Sequence, residues 1–137
     1  MNFFEQEMKK LFGDSKVIRD AKYFDKTLIG NIDGELRVKL QFAATEPVAD
    51  YYNALRLKII NRTDGLIDAE AFRFADILRD SPGLKKSSQE TGIHIWEYRG
   101  EADWYGYHPT AEDYRKIADT INDYISMYQE ESMEMNM

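Results

Sequence analysis

Apolar and polar residues alternate most strictly over Leu36-Arg37-Val38-Lys39-Leu40-Gln41-Phe42. A period of two predicts a β-strand with one face buried and the other wet. The run before it, Thr27 to Ile32, meets this strand across Asp33-Gly34, a favoured two-residue hairpin turn. Leu55, Leu57 and Ile59 alternate with Arg56, Lys58 and Ile60 and predict a further strand. Asn61 to Gly65 reads as a hairpin loop leading into Leu66 to Phe74. There the phase breaks between Ala69/Ala71 and Phe72/Phe74, which predicts a bulge. Lys16 to Tyr23 carries a fainter strand pattern, built on Val17, Ile18, Tyr23 and the adjoining Phe24. Ile93 to Tyr98 and Ala102 to Tyr107 predict a last hairpin around Arg99-Gly100-Glu101, dense in aromatic residues.

The spacing changes to three and four at both ends. Phe4, Met8 and Leu11 share a helical face, with Asn2 and Glu5 in capping-box positions and Gly13 placed for a left-handed stop. Beyond Pro109, Thr110 and Asp113 open a longer helix whose apolar stripe is Tyr114, Ile117, Ala118, Ile121, Tyr124, Ile125 and Tyr128. Its other face carries Glu112, Asp119, Asp123 and Glu130, and residues 131–137 either extend the helix or fray. Residues 45–52 are a connector containing Pro47, and 79–92 form one long loop. The expected fold class is α+β: a single domain over residues 1–137. It has a mostly antiparallel sheet of about six to seven strands, with an N-terminal and a longer C-terminal amphipathic helix packed on one face.

Composition adds four points to this picture. A chain of 137 residues is the usual size of one domain. It contains no cysteine, which excludes disulfides, thiolate ligands and cysteine nucleophiles. No apolar run reaches the length of a membrane helix, and the first residues lack the basic start and apolar stretch of a signal peptide. A cytoplasmic location is therefore expected. The net charge of −7 is uneven, because Lys/Arg and Asp/Glu cancel over residues 1–100. Residues 101–137 carry only Arg115 and Lys116 against nine acids. That end is ill suited to a phosphate backbone.

Candidate chemistry is sparse. His94 and His108 are the two histidines, and neither has a sequence neighbourhood that reads as a metal or catalytic site. No nucleophile motif or glycine-rich phosphate loop occurs, so no catalytic residues, metal site or cofactor are expected. Two surfaces remain. The first is the aromatic hairpin, with Trp96, Tyr98, Trp104 and Tyr105, together with the acidic helix face of Glu112, Asp119, Asp123 and Glu130. Tryptophan and tyrosine are enriched in protein-binding hot spots. The second is a basic stripe of Arg37, Lys39, Arg56 and Lys58, opposite the buried set of two strands. Basic residues among aromatics on a sheet hold single-stranded nucleic acid. The bland alternative pairs these cations across strands with Glu35, Asp68 and Glu70.

Three stretches carry a resemblance: Met1-Asn2-Phe3-Phe4-Glu5 running to Leu11-Phe12-Gly13-Asp14; Leu55 to Gly65, ending Asn61-Arg62-Thr63-Asp64-Gly65; and His94-Ile95-Trp96 with Trp104-Tyr105 and His108-Pro109-Thr110. Together they resemble an uncharacterised group of small proteins from mobile elements, phage or conjugative, of Gram-positive gut bacteria. The resemblance implies an accessory gene and no assigned activity. The leading expectation is a non-catalytic module that binds a protein partner. Its sharper form is an inhibitor of a host defence nuclease, such as an RNA-guided one. The alternative is a single-stranded nucleic-acid binder using the basic sheet face. No membrane partner is expected, and the sequence leaves the oligomeric state open.

Overall fold

The computed structural model describes residues 3–24, 26–43, 51–52, 54–81, 97–99, 103–105 and 109–135, with side chains for 4–24, 26–43, 54–81 and 109–129. The chain is α+β. It runs through α1 (Phe3–Phe12), β1 (Arg19–Phe24), β2 (Thr27–Asp33), β3 (Leu36–Ala43), β4 (Tyr51–Tyr52), β5 (Ala54–Asn61), β6 (Gly65–Arg73) and α2 (Phe74–Ile77). It then continues through β7 (Glu97–Arg99), β8 (Asp103–Tyr105) and α3 (Ala111–Met135). The main sheet has five strands in the order β1-β2-β3-β5-β6, every neighbouring pair antiparallel. That corrects the six or seven strands expected from the sequence. The chain leaves the main sheet after β3, and β4 pairs instead with β7, which pairs with β8 in a separate three-stranded sheet. Alternation marks a strand but carries no information about which sheet receives it.

One face of the main sheet holds the core. Leu28, Leu40 and Leu57 lie opposite one another across three strands, as do Gly30, Val38 and Ile59. They pack with Met8, Leu11 and Phe12 of α1 and with Ile117, Ile121 and Ile125 of α3, all buried. Both long helices therefore cover the same face, as their apolar stripes predict. Burying each such side chain contributes roughly 1.5–3 kcal/mol. Gly30 lies here for lack of room: a Cβ on it would stand 2.4 Å from Ile18 Cγ2.

The local sequence signals hold in part. The capping box at α3 is present, with Thr110 N–H donating to Asp113 Oδ2 (3.0 Å) and Asp113 N–H to Thr110 Oγ1 (3.2 Å). The β2–β3 turn sits one residue later than expected. Asp33 pairs with Leu36, so Gly34 and Glu35 form the turn, and Gly34 has φ +41°. Gly13 does end α1, but it is not left-handed. A Cβ there would lie 2.5 Å from the Lys9 carbonyl oxygen, which accepts the Gly13 N–H at 2.8 Å. The bulge in β6 falls at Ile67, between Leu66 opposite Ile60 and Asp68 opposite Ile59. From Asp68 to Phe72 the alternation is regular, and Phe74 departs from it because α2 begins there.

Helix α3 is tied down along its length. Ser81 Oγ donates to buried Asp113 at 3.3 Å, and Tyr114 OH donates to Glu7 of α1 at 2.5 Å. Ser15 Oγ donates to Asn122 Oδ1 at 2.9 Å, and Gln129 Nε2 donates to the Ile32 carbonyl at 2.8 Å. Tyr124 and Tyr128 both donate to the Asp68 carboxylate on β6. None of the helices among the described residues is long and apolar enough to cross a membrane.

Candidate functional site

The face of the main sheet away from the helices is built mainly from three cross-strand rows, with a shorter fourth of Ala43, Ala54 and Arg73 at one end. One row runs Arg19, Asn31, Arg37, Ile60, Leu66; the next runs Lys22, Ile29, Lys39, Lys58, Ala69. The third runs Phe24, Thr27, Gln41, Arg56, Ala71. These three rows hold six cations and no carboxylate. Lys39 and Lys58 stand directly opposite one another on neighbouring central strands, an arrangement that is unfavourable in a sheet. Strands lie about 4.8 Å apart and same-face residues about 6.8 Å apart along a strand, so Arg37, Lys39, Arg56 and Lys58 crowd within about a Debye length of their neighbours.

The bland alternative fails for two of its three acids. Counting back from the Asn61–Gly65 hairpin without a bulge would set Lys58 opposite Asp68 and Arg56 opposite Glu70. The extra residue at Ile67 shifts the register, so Lys58 faces Ala69 and Arg56 faces Ala71. Asp68 and Glu70 turn to the helix side, opposite Ile59 and Leu57. A one-residue slip exchanges the two faces of a strand. The third acid, Glu35, lies at the hairpin end and accepts a hydrogen bond from Thr63 Oγ1 at 3.3 Å. At the β1 edge, Asp20 accepts from Asn31 Nδ2 at 3.2 Å. Among the described residues, none of Lys22, Arg37, Lys39, Arg56 and Lys58 is within ion-pair distance of a carboxylate.

Apolar side chains accompany the cations. Ile29 and Ile60 are half-buried in the rows, while Phe24 and Leu66 are 55% and 60% exposed at opposite margins. The face closes at one end, where Ala43 and Ala54 are buried opposite each other.

The helix side of β6 has a different chemistry. The two phenol hydrogen bonds, Tyr124 before Tyr128, hold the Asp68 carboxyl below the usual carboxylate range. Burial, reinforced by the hydrogen bond to Asp68, raises the Tyr124 phenol well above its ordinary value. Phe72 packs edge-on against Tyr124 with ring centroids 5.3 Å apart. Glu7 and Asp113, 2% and 3% exposed, have structural partners: Tyr114 and Lys10 for Glu7, Thr110 and Ser81 for Asp113. Both acids hold helices in place.

The residues of the other predicted surface divide in two. Glu112, Asp119 and Asp123 are exposed on the outer side of α3. Tyr98, Trp104 and Tyr105 lie on β7 and β8, which pair as the expected hairpin, with Tyr98 opposite Trp104. Their side chains, the Glu130 side chain, Trp96, His94 and His108 lie outside the described residues. Sequence reasoning missed Arg19, Lys22 and the apolar Phe24 and Ile29 as members of the basic face, since the faint β1 pattern gave no register to join them to β2. No protein-family model, curated protein or solved structure matches the chain.

Proposed function

We propose that this chain is a non-catalytic binding module whose open sheet face holds single-stranded nucleic acid. The observation that carries the proposal is the set of three cross-strand rows, with six cations, no carboxylate and an opposed Lys39–Lys58 pair. Cations crowded in rows that hold no carboxylate repel one another, and a polyanion laid across them relieves that repulsion while releasing its own counterions. Ile29, Ile60, Phe24 and Leu66 beside the cations favour a ligand that offers base faces as well as phosphates. A duplex keeps its base faces stacked inside, so a single strand is the better fit. The acidic outer side of α3 faces away from this ligand and keeps the molecule polarised.

The test is fluorescence anisotropy with a labelled oligothymidine and its duplex, using the wild-type chain and a Lys39→Ala plus Lys58→Ala variant. Tighter binding of the single strand is expected, weakened about 25-fold by the double substitution at 0.1 M salt when two phosphate contacts are lost. Equal affinity of the variant and the wild type would refute the assignment.

A second reading rests on Glu112, Asp119 and Asp123, which are exposed together on α3. They would dock on a basic protein, a nucleic-acid enzyme among the candidates. It ranks second because acids on the outer side of a helix are ordinarily solvated.

A further inference from the structure

We infer that β6 is a docking edge for an extended peptide that alternates cationic and apolar residues. The inference does not depend on the nucleic-acid reading: it uses the edge of β6, whose Leu66, Ala69 and Ala71 also form the margin of the basic face. β6 (Gly65–Arg73) is the last strand of the main sheet, and among the described residues it pairs only with β5. An edge strand presents every second N–H and C=O outward, and stable proteins blunt such edges with charge, proline or irregular backbone. The other edge is blunted in this way: β1 carries Arg19 and Lys22, a register shift between them, and Asp20 at φ +55°. Among the described residues the backbone of β6 is irregular only at its start, at the Ile67 bulge, and from Asp68 to Arg73 its register is regular and free of proline, with Asp68, Glu70 and Arg73 as its charges. Leu66 and Ile67 stand 60% and 47% exposed on it.

The occupant follows from the two sides of the strand. On the open side β6 offers Leu66, Ala69 and Ala71, with Arg73 as its charge at the far end, so a neighbouring strand would lay apolar side chains over the alanines. On the helix side Asp68 is held by Tyr124 and Tyr128, and the exposed Glu70 is the acid left to a partner, so the same strand would place Lys or Arg opposite Glu70. Alternation of cationic and apolar residues satisfies both sides at once, because successive side chains of a strand point to opposite faces. A second copy of this chain is a poor occupant. A two-fold dimer pairs β6 antiparallel with itself and sets Asp68 and Glu70 of one copy against Asp68 and Glu70 of the other.

The experiment titrates the full chain into three labelled short peptides: alternating lysine and valine, the same with glutamate for lysine, and the lysine peptide N-methylated at every second residue. The expected result is binding of the lysine–valine peptide alone. It should weaken about tenfold with Glu70→Lys, because a favourable cross-strand pair becomes a repulsive one. Glu70 is exposed, and unchanged thermal melting of that variant would show that the fold is kept. Three results would overturn the inference: no binding of the lysine–valine peptide, binding unaffected by N-methylation, or equal binding of the glutamate peptide, which would assign capture to the basic face instead.

Discussion

Asp68→Asn removes one charge from a place where the structure gives that charge a defined task. The carboxylate accepts the hydroxyls of Tyr124 and Tyr128 and so joins the second half of α3 to the edge strand. Asparagine keeps the shape and one acceptor oxygen but loses the charge that strengthens both bonds. Weakening two such bonds at a half-buried site costs about 1–2 kcal/mol, the lower end being favoured by residual solvent screening. For a domain of this size that corresponds to a fall of about 3–8 °C in Tm. The pH dependence identifies the cause. Because folding lowers the Asp68 pKa, its stabilisation is fully present above about pH 4, the unfolded value, and is lost as pH falls through the folded value. The gap between wild type and variant should therefore close in acid. Tyr124 acts in the opposite direction. Its phenol pKa is raised on folding, so its stabilisation is present below about pH 10 and is lost as pH rises beyond that. In Asp68→Asn the burial part of that effect remains, and the alkaline decline should be shallower but not absent. Thermal melts followed by circular dichroism across the pH range measure both limbs. Equal Tm at about pH 7, or a gap that does not narrow in acid, would refute the clasp.

Two further outcomes follow from local geometry. Gly30→Ala would put a methyl 2.4 Å from Ile18 Cγ2 and 3.2 Å from the Arg19 carbonyl oxygen. It should destabilise by about 1–3 kcal/mol through overpacking, read as a lower denaturant midpoint at unchanged slope. Thr110→Ala removes the hydroxyl that accepts the Asp113 N–H and should cost about 1 kcal/mol in the same assay, whereas Thr110→Ser should be nearly neutral.

Much of this architecture was legible in the chain because hydrophobic period and burial coincide. Leu36, Val38, Leu40 and Phe42 are all buried, and Ile117, Ile121 and Ile125 line the core side of α3 as their spacing predicts. Arg37, Arg56 and Lys58 were also readable as outward-facing, since each alternates with buried neighbours, and each is exposed. That no carboxylate among the described residues stands opposite them was not readable. The hairpin at Asn61–Gly65 invites a plain register that pairs Lys58 with Asp68 and Arg56 with Glu70, and nothing in Leu66-Ile67-Asp68 announces the inserted residue. Its position is selected by tertiary packing, since the shift puts Phe72 against Tyr124 and Asp68 under two phenols. Strand order was hidden for a similar reason: the excursion of β4 into a second sheet depends on long-range pairing with β7.

The central claim is that one bulge leaves the sheet's open face basic and ready for a polyanion. Its most direct test is the salt dependence of oligothymidine binding. If Arg37, Lys39, Arg56 and Lys58 each meet a phosphate, log K should fall against log salt with a slope of about −2.8, and with about half that slope in the Lys39→Ala plus Lys58→Ala variant. A slope that is shallow, or the same in both proteins, would contradict the account.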